Sequence, residues 1–151
     1  MSNEKGDLSV AKSHLIVLAA LPALMWAQAP PDFSGTWRLD PLRSRLTNVP
    51  APKNLVLKID QHQSAVDVKM TTETHQGEST EDFQLKASPN GPSAAWDDDH
   101  LVLESHEDTP NGRVVVTRRL KRGDKDRIMT AVVTFQGKSG VSTSYEFYVK
   151  E

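Results

Sequence analysis

The 151-residue chain has no cysteine. That excludes disulfide-stapled scaffolds, thiolate metal sites and the modified cysteine that anchors a bacterial lipoprotein. Strong charge of either sign is also missing, since the formal net charge is −2. Nucleic acid needs a basic face to bind, and an anionic membrane surface needs a basic patch; this composition argues against both. From Phe33 onward no stretch has helical periodicity, so a glycine-rich phosphate loop would have no helix to open onto. No serine sits at the centre of a Gly-x-Ser-x-Gly elbow, and Gly137-Lys138-Ser139-Gly140 reads as a hairpin turn. His62, His75, His100 and His106 lack zinc-site spacing. No catalytic residue, cofactor or metal is therefore expected.

The first segment reads as an export signal. Lys5 and Lys12 precede an unbroken apolar run at residues 15–24, about the length of a signal-peptide core and too short to span a bilayer as a helix. Ala27-Gln28-Ala29 then supplies small residues for a signal peptidase, although Pro30 hinders cleavage directly after Ala29. Cleavage after Ala27, or retention as an anchor, stays open. The expected division is a signal peptide at 1–29 and one domain at 30–151, working in the periplasm or outside the cell. Lys5 and Lys12 balance Glu4 and Asp7, so the net charge belongs to the second part.

That second part alternates with period two. Phe33, Gly35, Trp37 and Leu39 share one parity; Leu55, Leu57 and Ile59 follow after a loop bearing Pro41, Pro50 and Pro52. Val66, Val68 and Met70 mark a third strand, Phe83 and Leu85 a fourth, and Ser88-Pro89-Asn90-Gly91-Pro92 a turn. Ala94 with Trp96, and Leu101 with Leu103, give two more. Asn111-Gly112 is a hairpin signal leading to Val114 and Val116, and strands over Ile128–Gln136 and from Val141 complete the series. Eight or nine short strands without room for crossover helices imply an all-β, antiparallel up-and-down meander. It closes as a barrel or, alternatively, stacks as a β-sandwich.

At Asp32-Phe33-Ser34-Gly35-Thr36-Trp37-Arg38-Leu39 the chain resembles the Gly-x-Trp opening strand of lipocalin-like (calycin) barrels, in particular small secreted bacterial ones. Thr143-Ser144-Tyr145-Glu146-Phe147-Tyr148 is similar to a later strand of that superfamily. The resemblance implies that Gly35 lets the first strand bend and that Trp37 closes one end of the barrel, with Trp96 as a further structural aromatic. It also implies that the interior binds a small hydrophobic or lipid-like ligand. An interior lined by Leu57, Val68, Phe83, Val116, Tyr145 and Phe147 is the expectation.

Arg118 shares parity with Val114, Val116 and Leu120, which places a guanidinium on the inner face. It either anchors the carboxylate of an acidic ligand, with Tyr145 as a second polar contact, or is satisfied structurally by an ion pair or aromatic stacking. Asp97-Asp98-Asp99-His100 reads as a solvated acidic turn, because its spacing matches no calcium loop. The alternative function is a protein-interaction domain with a packed, ligand-free interior, offering the proline-bounded loop at 40–52.

Overall fold

A computed structural model describes residues 29–47, 51–63, 65–85 and 91–151. The expected signal segment lies outside these residues except for Ala29, as does most of the Ser88–Pro92 turn. Nine strands follow one another: β1 (Gly35–Leu39), β2 (Asn54–His62), β3 (Ala65–Thr74), β4 (Gly77–Gln84), β5 (Ser93–Asp97), β6 (His100–Thr109), β7 (Gly112–Arg122), β8 (Ile128–Gly137) and β9 (Gly140–Lys150). They form one closed barrel in sequence order, so the barrel is realised and the sandwich is not. No helix among the described residues is long and apolar enough to cross a membrane.

Closure imposes a parity constraint. A ring of nine strands cannot alternate direction all the way round, so at least one pair of neighbours must be parallel. Every other neighbour pair is antiparallel, and β4 and β5 meet in parallel at one position, Gln84 opposite Ser93. These two strands are neighbours in the ring, side by side at that one position. β5 runs in the direction of β4.

The hairpins β3–β4, β6–β7 and β8–β9 gather at one end, and the stretch leading into β1 and the C-terminus lie at the other. The terminal end is plugged. Trp37 is fully buried, and its indole Nε1 donates to the Phe33 carbonyl at 2.8 Å. Phe33 stacks obliquely on Trp96 with ring centroids 5.9 Å apart. Gln61 ties down the incoming chain, accepting from Phe33 N at 2.9 Å and donating to Pro31 O at 3.1 Å. Two cations cover the Trp37 ring, Arg122 at 5.3 Å and Lys150 at 5.4 Å. A buried tryptophan removes a large apolar area from water, and cation–π contact adds to it.

Above this plug, Leu57, Val68, Phe83, Leu101, Leu120, Met129 and Tyr148 fill the lower barrel. At the other end, residues 40–47 run beside β9, extending the edge begun by β1. Asp40 N donates to Phe147 O at 2.8 Å, and Arg45 and Tyr145 exchange backbone bonds at 2.7 and 2.9 Å. Thr47 N reaches Ser144 Oγ at 2.9 Å.

Gly35 takes a φ of +132°, where an L side chain is strained, and a Cβ there would run into the Lys150 side chain. Gly35→Ala should lower unfolding free energy by about 1–3 kcal/mol in urea titrations. Placing it in a Lys150→Ala background removes the contact but not the backbone strain, so most of the loss should persist. Complete recovery there would show that the lysine alone accounts for the glycine.

Candidate functional site

Inward positions change character with height. Midway up, β7 presents Arg118 to the interior opposite Leu103 of β6 and Val133 of β8. Arg118 is 9 % exposed and Glu146, on β9, is 5 % exposed, so both charges lie inside the barrel wall. Arg118 Nε donates to Glu146 Oε2 at 3.3 Å, and the fully buried Tyr148 hydroxyl donates to the same oxygen. Burial works against the Arg118 charge, but Glu146, with Tyr148 and Glu81 behind it, outweighs that and raises the guanidinium above its ordinary value. Burial, reinforced by Glu146, pushes the Tyr148 phenol well above its usual range, so it stays a neutral donor.

A third acid completes this layer. Glu81 projects inward from β4, half-buried, and burial raises its carboxyl above the usual value. Arg118 and a hydrogen bond with the Ser105 side chain pull it back down, while Glu107 pushes it further up. The interior thus holds one cation and two carboxyl groups.

Over this layer, at the open end, lies a cavity of about 140 Å³. Leu46, Pro52, Leu55 and Phe135 give it apolar walls; Thr72, Thr74 and Ser144 supply hydroxyls; Arg118 and Glu146 form its charged floor. The 40–53 connection forms one side, through Leu46 and Pro52, while Thr47 holds Ser144.

Of the residues expected to meet a ligand, only Arg118 reaches this cavity. Phe83 is inside, 1 % exposed, but in the packed layer opposite Val68. Tyr145 and Phe147 are corrected: they face outward, and Tyr145 is 55 % exposed. The apolar parity of β9 suggested that Val141, Thr143, Tyr145, Phe147 and Val149 face in. The two-residue turn at Lys138–Ser139, with Gly140 at φ +121°, sets Gly137 opposite Gly140 and hence Val133 opposite Ser144. Since Met129, Ala131 and Val133 point inward, Ser144, Glu146 and Tyr148 must follow. Tyr145 and Phe147 instead line an outer groove of about 290 Å³ with Val132, Arg43, Arg119 and Lys121. Each of those cations already has a carboxylate neighbour: Asp40, Asp97 and Asp99 respectively.

No protein-family model, curated protein or solved structure matches the chain. At the opening strand, Gly35 takes a positive φ, Trp37 is fully buried, and Trp96 packs against Phe33. The Asp97–His100 run is a hairpin whose turn is Asp98–Asp99; Asp97 pairs with Arg119, and His100 Nδ1 lies 2.6 Å from Asp99.

The floor supports two predictions. Arg118→Met or Glu146→Leu alone should each cost about 3–5 kcal/mol in denaturant unfolding, because each strands a buried charge; the double variant should regain most of that loss. Glu81 has a folded-state pKa above its unfolded one, so its stabilising contribution is complete in acid and is lost as pH rises through the raised value. Glu81→Gln should therefore match wild type below about pH 4 and become relatively more stable toward neutrality, as thermal unfolding against pH would show.

Proposed function

We propose that this chain is an exported, lipocalin-like binding barrel that receives a compact small molecule at its open end. The observation that carries the reading is the cavity over the Arg118–Glu146–Tyr148 cluster. A barrel filled for stability alone gains nothing from ionic groups in its interior, since apolar side chains of similar volume serve as well or better. Apolar walls around a few converging polar groups are the usual composition of a small-molecule site. The export assignment draws on the residue pattern of the N-terminal segment.

Size restricts the ligand. Cavities of about 150 Å³ admit a benzene-sized molecule. A long acyl chain would have to displace Leu57, Phe83, Leu101 and Met129 from the packed layers below. The ligand class that fits is a single ring or a short branched chain with one polar group directed at Arg118, Glu146 or the Thr72 and Ser144 hydroxyls.

Native mass spectrometry and thermal-shift titration with phenol, benzylamine, benzoate and a long-chain fatty acid test this directly. Ring-sized compounds should raise the melting temperature, and the fatty acid should not enter. Thr72→Phe, which fills the cavity from β3, should abolish the shift while leaving the circular dichroism of the barrel intact. Unchanged uptake by that variant, or no uptake at millimolar ligand by the wild type, would overturn the reading.

A further inference from the structure

The one-position junction of β4 and β5 leaves a defect in the barrel wall. β5 pairs with only the first half of β6, from His100 to Glu104. Among the described residues, the remainder, Ser105 to Thr109, pairs with β7 on one side and has no backbone ladder on the other. β4 pairs with β3 from Gly77 to Gln84, and its other edge meets β5, among the described residues, only at Gln84. Two strand edges without a described partner therefore face each other at the open end, one on β4 and one on β6.

Burial follows from this gap. Ser79 has the inward parity of Glu81 and Phe83, and Glu107 that of Leu103 and Ser105, yet both are exposed. No described residue beside them covers the core side. Among the described residues, Glu81 and Ser105 make a side-chain link across the gap.

The two edges carry one sign of charge. β4 bears Glu78, Glu81 and Asp82, the facing part of β6 bears Glu107 and Asp108, and Glu104 stands just before it. Lys69 lies 4.0 Å from Asp82, Arg113 lies 3.2 Å from Asp108 and His106 lies 3.8 Å from Glu104. Glu78 and Glu107 have no cation beside them among the described residues. Glu78 also stands directly opposite Glu73 on β3, a like-charge pair that disfavours the sheet.

We propose that an extended, lysine- or arginine-bearing segment of a partner protein adds as a strand between β4 and β6. Unpaired N–H and C=O groups on two facing edges are a template for strand addition. The acidic flanks select a basic occupant and repel a second copy of this chain, which would bring the same carboxylates. β4 runs from the open end and β6 toward it, so the added strand would lie parallel to one and antiparallel to the other. One alternate row of its side chains would point inward toward Glu81, and the other outward past Glu78. The inference is independent of ligand binding at the open end, because it rests on the wall and not on the cavity.

The test uses the full domain and a fluorescein-labelled peptide alternating lysine and valine, about as long as β4. Fluorescence anisotropy should show saturable binding that weakens with salt. Amide hydrogen exchange should slow in β4 and in Ser105–Thr109 but not in β8. A peptide N-methylated at alternate residues should bind at least tenfold more weakly, as should the wild-type peptide to a Glu78→Lys/Glu107→Lys variant. Both substituted residues are exposed, so that variant should keep its fold. Equal affinity for a glutamate–valine peptide, undiminished binding after N-methylation, or binding with no exchange protection at β4 and β6 would overturn the proposal. So would a concentration-dependent dimer that closes the same edges.

Discussion

Ring closure is the constraint on which the rest of this barrel depends. Closing a sheet removes its open edges, but nine strands cannot close in strict alternation. The chain meets this with a single parallel neighbour pair, β4 and β5, joined at Gln84 and Ser93. Toward the terminal end the barrel encloses a packed interior. At the open end the facing edges of β4 and β6 share no ladder among the described residues, and acidic residues on both sides mark the break. The barrel's dense half and its open half thus share one topological origin.

The interior is arranged on the same axis. Trp37, Phe33 and Trp96 plug the end where the chain enters, with Arg122 and Lys150 laid over the indole. Aliphatic layers follow, and then Arg118, Glu146 and Tyr148. Placing an ion pair there is costly unless each charge is answered, which explains why one carboxylate oxygen receives both the guanidinium and the phenol. The small cavity above that layer is where polar and apolar surfaces meet out of bulk water, and such a surface can discriminate among small molecules by shape and by one directed hydrogen bond.

β9 shows where local pattern and register part company. Its odd positions carry Val141, Tyr145, Phe147 and Val149, and amphipathicity alone turns them inward. The turn at Lys138–Ser139 and the inward Val133 contained the contrary information, because a two-residue hairpin leaves no freedom of register. Glu146 was the residue missed for this reason, and with it the partner of Arg118. Its signal was present in the spacing from the turn, not in the composition of the strand. Glu81 had no such local signal, since its burial depends on Ser105, Glu107 and Arg118 converging from distant strands.

From the sequence alone follow the all-β class, most strand positions, the absence of disulfides, the bend at Gly35 with Trp37, and the inward direction of Arg118. Those features are local: alternation, turn residues and residue size act within a few positions of one another. Only the tertiary structure decided that the ring closes with nine strands, that β4 and β5 meet in parallel at one position, and that Arg118 is answered by Glu146. Each of these depends on residues far apart in the chain being brought to the same height in the wall. Register and closure set that height, and no single strand encodes it.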